Sequence, residues 1–229
     1  MIRAVARKRT RRSTDVLTRA PERDRETGDR LLQEAARLFA ARGFSKVTVR
    51  DIALKAQANV AAVNYHFGDK AALYDAVLEA AIHEMQTTTE AARQAGAGRP
   101  PDEQLATYIS VFLGRVFEGR NSWIHQLMVR EISDPTPALD RIVDRVLRPR
   151  VQYLRDIVAS LMGCSPDDDR VTRCVISVHT QCLAVMNNPV APRLGLSPVA
   201  TAAGIQEIAR HIAKFSVAGI RAIARDRSR

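Results

Sequence analysis

Leu31, Leu32, Ala35, Ala36, Leu38 and Phe39 recur at steps of three and four, with Arg30, Glu34, Arg37 and Arg42 between them. That spacing predicts one amphipathic helix opening near Arg25. Gly43 follows where a left-handed residue would end it, and Phe44 is placed to fold back onto the apolar face. A second, very short helix is predicted over Val49–Lys55. The Thr48 hydroxyl is able to cap it, and Asp51 sits in its first turn, where negative charge is favourable. Residues 56–59 are a polar break. Asn59 is a good N-cap for a third helix, Val60-Ala61-Ala62-Val63-Asn64-Tyr65. Gly68-Asp69 punctuates again, and a long helix is predicted from Lys70 through Leu73, Val77, Leu78 and Ile82 towards Met85. Two short helices joined by a tight turn and braced by a preceding helix form the helix-turn-helix arrangement. The pattern therefore predicts a DNA-binding domain over residues 25–75, with a flexible basic arm over residues 1–24.

Residues 95–101, Ala-Gly-Ala-Gly-Arg-Pro-Pro, form the clearest loop in the chain. Helical patterning resumes at roughly 102–118, 121–133, 138–162, 167–187 and 198–225, with Pro149 expected to kink or interrupt the third of these. No segment alternates convincingly with period two. The predicted fold is all-α, a three-helix helix-turn-helix domain followed by a helical domain over residues 76–229.

Charge sharpens that division. The 229-residue chain carries 35 Lys and Arg against 25 Asp and Glu, a formal net charge of +10. Residues 1–25 hold nine basic and three acidic side chains. Residues 1–75 hold 16 against 9, a net +7 that leaves only +3 for the rest. Such an excess at one end suits a partner that is a polyanion. No apolar run approaches the roughly 20 residues of a membrane span. The N-terminus has charge but no apolar segment after it, so a secretory signal is not expected, although its Arg-rich composition matches that of an organelle transit peptide. Cys164, Cys174 and Cys182 are odd in number and lack metal-ligand spacing, which suits a reduced cytoplasm. Cys174 and Cys182 share a helix face but stand roughly 12 Å apart along it, too far for a disulfide. The five histidines are scattered and no Gly-rich phosphate loop is present. Asp167-Asp168-Asp169 has the ordinary explanation of charge at a helix start. Neither an enzyme nor a cofactor is expected.

Residues 26–73 resemble the N-terminal domain of TetR-family transcriptional regulators. The likeness is carried by Leu31-Leu32-Gln33-Glu34-Ala35-Ala36-Arg37-Leu38-Phe39, the Gly43-Phe44 break, Thr48-Val49-Arg50-Asp51-Ile52-Ala53 and Asn64-Tyr65-His66-Phe67-Gly68-Asp69-Lys70. Arg130-Glu131-Ile132-Ser133-Asp134-Pro135-Thr136-Pro137, Asn187-Asn188-Pro189 and the run Val60 to Phe67 resemble the CecR branch. The resemblance implies that the third helix enters the major groove, with Thr48, Arg50, Asn59, Val60, Ala61, Asn64, Tyr65, His66 and Lys70 at the DNA. Val60 and Ala61 offer methyls to thymine, and Asn64 matches an adenine edge. Thr48 and Lys70 match positions at which the family holds phosphates. Tyr65 reads best as a phosphate contact and Phe67 as part of the seam between helices, while His66 stands evenly between the two. Two departures matter. Gln57 stands where the family often has Gly and would be strained by roughly 1 to 2 kcal/mol in left-handed geometry. Asn64 stands where the family often has Tyr, which turns a phosphate contact into a base contact. Arg3, Arg7, Lys8, Arg9, Arg11 and Arg12 cannot pack a core. They fit either a DNA-tracking arm or a solvated tail.

For the second half, the resemblance implies a small-molecule effector cavity and a homodimer in which the last two helices pair with their two-fold mates. Phe112, Trp123, His125 and Met128 are candidates for an apolar cavity wall, with Arg130, Glu131 or Gln181 supplying polarity. Glu131 and Arg130 equally fit a surface or hinge, and Trp123 fits core. The implied function is a cytoplasmic, dimeric, ligand-relieved repressor on a palindromic double-stranded DNA operator. Competing readings are a non-specific basic architectural protein and a helical enzyme or binder.

Overall fold

The computed structural model describes residues 15–117, 122–185, 191–195 and 201–226, and among these no strand occurs. The helices are α1 (Asp15–Arg42), α2 (Val49–Lys55), α3 (Val60–Phe67), α4 (Lys70–Gly96), α5 (Pro101–Phe117), α6 (Ser122–Ser133), α7 (Ala138–Ile142), α8 (Arg148–Met162), α9 (Asp169–Ala184) and α10 (Ala202–Arg225). A π-turn over Val143–Leu147 joins α7 to α8, and Ala191–Leu194 is a short 3-10 turn. Contacts divide the chain into two compact units, one ending at Val77 and one beginning at Leu78.

In the first unit, Leu31, Ala35, Phe39, Val47, Ile52, Val63, Leu73 and Val77 are fully buried. Of these, Leu31, Ala35 and Phe39 on α1 and Leu73 and Val77 on α4 are positions that the three- and four-residue steps select. Gly43 ends α1 in left-handed geometry (φ 82°), its N–H donating to the Phe39 carbonyl at 2.8 Å. Phe44 does fold back. Its ring lies 6.0 Å from Phe39 and 5.0 Å from Tyr74, and Tyr74 meets Phe39 edge-on at 5.0 Å. Thr48 and Asp51 close a reciprocal cap on α2. Asp51 N–H donates to Thr48 Oγ1 at 3.1 Å, while Thr48 N–H and Oγ1 donate to Asp51 Oδ2 at 2.9 and 2.7 Å. These bonds, led by that from the hydroxyl, hold the Asp51 carboxyl below the usual carboxylate range.

Two boundaries differ from the pattern. Helix α1 begins at Asp15, not Arg25, so residues 15–24 of the expected flexible arm are helical; the pattern misses them because they carry no continuous apolar stripe and include Pro21, which ordinarily argues against a helix interior. The basic residues Arg3 to Arg12 lie outside the described residues. Helix α4 runs on past Met85 to Gly96. Its last turns alternate buried Thr88, Thr89 and Ala92 with polar exposed positions, which dilutes the apolar signal.

The second unit has one core, built from buried faces of α5, α8, α9 and α10. Leu105, Ile109 and Leu113 pack with Leu154, Ile157, Val158, Val171, Val175, Val178, Ile212 and Ile220. Pro149 does not break the helix. Proline supplies no N–H to the carbonyl one turn back, and here the Arg145 carbonyl accepts from Gln86 Nε2 at 3.1 Å on α4. The backbone widens into the π-turn, where Arg148 N–H donates to the Val143 carbonyl. No helix among the described residues is long and apolar enough to cross a membrane.

Gln57 is the one non-glycine residue at positive φ among the described residues (52°). It lies in the turn between α2 and α3, where its N–H donates to the Leu54 carbonyl at 3.2 Å. Gln57→Gly relieves roughly 1 to 2 kcal/mol of left-handed strain and adds about 0.5 to 1 kcal/mol of chain entropy cost. The expected net result is a melting temperature raised by about 2 °C in calorimetry. A lower melting temperature would show that the side chain stabilises the turn.

Candidate nucleic-acid interface and ligand cavity

Helix α3 is positioned by one face and exposed on the other. Val63 is fully buried, and Asn59 caps the helix by accepting from Ala61 N–H at 3.0 Å through Oδ1. At 100° per residue, Val60, Ala61, Asn64 and Tyr65 fall within an arc of about 140° pointing away from Val63. All four are exposed, Tyr65 at 75%. An exposed arc of two apolar groups, one carboxamide and one phenol on a short helix is chemistry suited to base edges and thymine methyls. Arg50 is exposed in the first turn of α2.

Other predicted contacts are already engaged within the unit. Lys70 Nζ donates to the carbonyls of Phe44 and Val47, both at 3.0 Å, and lies 4.2 Å from the Phe44 ring centroid. Its charge thus ties the turn after α1 to the start of α4. The Thr48 hydroxyl is committed to Asp51, and the Asn59 oxygen to the α3 cap. His66 is packed against α1. Its Nε2 stands 3.4 Å from Asp24 Oδ1, and a Cβ at Gly28 would come within 3.3 Å of Nδ1, so the glycine makes room for the ring. Phe67 is half-buried beside it, in ring contact at 6.2 Å.

The second unit holds a cavity of about 590 Å³ that opens to the surface. That is the size of a site for a drug-like molecule. Of the predicted wall, Phe112, His125 and Met128 line it, joined on α6 by Ile124, Val129 and Ile132. Trp123, Arg130 and Gln181 do not. On α6 the wall follows positions 124, 125, 128, 129 and 132, a single helical face from which 123 and 130 are rotated away. Gln181 points to α10, its amide donating to Ser216 Oγ at 3.2 Å. Glu131 is buried and ends α6 locally, accepting from Thr136 N–H at 3.2 Å and Thr136 Oγ1 at 2.8 Å.

The polar groups of the cavity come mostly from residues that the apolar pattern passes over. Glu84 on α4 accepts from Arg115 on α5 at 3.1 Å. Arg150, only 7% exposed, reaches the wall from α8. Its Nε donates to Thr89 Oγ1 at 3.2 Å and its Nη2 to the Met85 carbonyl at 3.1 Å, with the guanidinium 5.3 Å from the Phe112 ring centroid. The signal that could have found it is positional, since Arg150 stands on the stripe Val146, Tyr153, Leu154, Ile157 where an apolar residue belongs. Burial holds His125 and His179, both in the wall, below the usual histidine range. Cys174 and Cys182 are buried free thiols, the latter pushed up to about 12 by burial. They are therefore thiols rather than reactive thiolates at neutral pH.

Residues 31–77 match the family of bacterial regulatory proteins of tetR type, and residues 101–220 match the C-terminal domain of the HTH-type transcriptional dual regulator CecR. The CecR regulator of Shigella flexneri is 26% identical over 174 residues, covering 72% of this chain and 74% of its own. The HTH-type transcriptional regulator TcmR of Streptomyces glaucescens is 29% identical over 162 residues, covering 67% and 68%. Among solved structures, the TetR-family regulator PfmR of Thermus thermophilus aligns with a TM-score of 0.59 at 21% identity, covering 82% of this chain and 94% of its own. A TetR-like regulator of a Rhodococcus species aligns at 0.58 and 22% identity, covering 84% and 96%.

Replacing the Lys70 ammonium removes two charge-assisted hydrogen bonds to loop carbonyls. Lys70→Met is expected to lower folding stability by about 2 kcal/mol, read as a shifted urea midpoint. An unchanged midpoint would mean that the ammonium is free to serve DNA instead.

Proposed function

The chain belongs to the TetR family of bacterial transcriptional regulators, in the branch that carries the CecR C-terminal domain, and on that premise we propose that it represses transcription from a palindromic operator as a homodimer until a small molecule fills the cavity. In this reading residues 25–75 read DNA, residues 76–229 bind the effector and the second subunit, and the arm before them adds affinity. The protein acts in the cytoplasm and has no catalytic role.

The observation that carries the reading is the exposed arc of α3. Val60 and Ala61 meet methyls in the major groove, Asn64 makes the paired hydrogen bonds that an adenine edge offers, and Tyr65 reaches the backbone or an adjacent base. Arg50 supplies the phosphate contact beside it. Thr48, Asn59, His66 and Lys70 act at one remove, by fixing where α2 and α3 start and how α3 lies on α1. Two-fold symmetry sets two such helices about one DNA turn apart, or a multiple of it.

The homodimer is supported by the outer side of α10. His211, Phe215, Ala218, Gly219 and Ala222 share one exposed side of that helix within about 100°, and the Phe215 side chain is 64% exposed against a stacked His211 ring at 6.4 Å. A large apolar side chain amid small residues is a surface that another helix can approach closely. Ile176 adds exposed apolar area on α9.

A gel shift with the DNA upstream of the gene is expected to show a dimer-sized complex that resists scrambled competitor and weakens as salt rises. Asn64→Ala is expected to change base preference at the half-site, costing roughly 1 to 3 kcal/mol against the preferred base. Retention by scrambled DNA equal to that by operator would favour the architectural reading. Separately, Phe215→Arg is expected to convert the dimer to a folded monomer in sedimentation and to abolish stable operator binding. A dimer that survives the substitution would place the interface elsewhere.

A further inference from the structure

We propose that the cavity takes an amphipathic monocarboxylate, its apolar body against the α5, α6 and α9 walls and its carboxylate on Arg150. This rests on the reading of the cavity as the effector site and names the chemistry of the effector.

The inference follows from one unbalanced charge. A guanidinium stays protonated in proteins and carries five N–H donors. The structure uses two of them, to Thr89 Oγ1 and the Met85 carbonyl. Among the described residues no carboxylate lies within ion-pair distance of Arg150. A charge buried without a counter-ion is costly, so a site that keeps one gains most from a ligand that brings the opposite sign. The other ionisable groups of the wall do not supply it. Glu84 is in an ion pair with Arg115 at 3.1 Å, so the two offset each other. His125 and His179 are held neutral at pH 7 by burial. Among the described residues the cavity therefore presents one uncompensated positive charge, that of Arg150.

Shape and polarity select further. Met85, Phe112, Ile124, Met128 and Leu183 make the wall around Arg150 predominantly apolar, which admits a hydrocarbon or aromatic body and disfavours a sugar or a nucleotide. One arginine balances one negative charge, which favours a carboxylate over a phosphate monoester carrying nearly two. The planar fork of the guanidinium matches a carboxylate with two parallel hydrogen bonds. Tyr108 stacks on Phe112 with centroids 6.0 Å apart, on the same ring that Arg150 faces. Its hydroxyl is buried and has no hydrogen-bond partner among the described residues.

The test uses the full-length protein and four probes with one apolar body: decanoate, decanol, decylamine and decyl phosphate. Binding is measured by calorimetry and by the fluorescence of Trp123, the single tryptophan, which lies on α6. Decanoate is expected to bind roughly tenfold or more tightly than decanol, with decylamine weakest and decyl phosphate below decanoate. Arg150→Met is expected to erase the preference, leaving decanol at least as tight as decanoate. If that variant fails to fold, the four-probe series on the wild-type protein still decides. Equal affinity for decanoate and decanol, a preference for the amine or the phosphate, a preference that survives Arg150→Met, or no binding by any probe would overturn the inference. Operator binding, measured on the same preparation without probe, separates the outcomes. Its loss sinks the regulator reading, whereas its retention with no decanoate preference sinks the ligand chemistry alone.

Discussion

An eight-residue helix does not hold itself together in water, and the surface proposed to meet DNA is carried on one. Everything about α3 follows from that constraint. Val63 anchors it with the only fully buried side chain it has, Asn59 ties down its first turn, and Gly68 ends it at a φ of 86° that a side chain would resist. Around it the loop carbonyls of Phe44 and Val47 are drawn together by the Lys70 ammonium. Polar residues that resemble ligand contacts thereby also make the short helix stand still. That leaves Asn64 and Tyr65 free at its surface. Precise placement of a reading helix requires support of this kind, because a base edge distinguishes partners over fractions of an ångström.

Much of the first unit is legible in the sequence because its determinants are local. A glycine after an amphipathic run, a threonine three residues before an aspartate and an asparagine before an apolar turn each act within one helical turn, and each does what its spacing predicts. The left-handed geometry of Gln57 is legible only through the resemblance, which often places glycine at that position. The partners of Lys70 are not, because they lie 23 and 26 residues away. Nothing in the local pattern separates an ammonium that binds carbonyls from one that awaits phosphate.

The cavity is harder to read for a different reason. Apolar periodicity locates the helices of the second unit well, and it finds Phe112, His125 and Met128 in the wall. It misplaces Trp123 and Arg130, because being near the right residues in sequence is not the same as sharing their side of α6. It passes over Arg150 altogether, since a charged residue between a proline and a valine reads as surface. Its burial becomes visible only when α4 is laid alongside, with a threonine hydroxyl and a main-chain carbonyl to receive its donors.

The π-turn has a consequence for counting along this segment. Ala138, Ile142, Val146 and Arg150 are all buried and stand four residues apart. Three turns of α-helix take about 11 residues, one fewer than the 12 that separate Ala138 from Arg150. The widened turn absorbs the surplus, so that a strip which would otherwise wind around the helix stays on one side. The aim of Arg150 is therefore set by the number of residues ahead of it as well as by their identity. Between Val143 and Leu147 a substitution changes a side chain, but the loss of a single residue would turn the guanidinium by about 100° and leave the cavity without its charge.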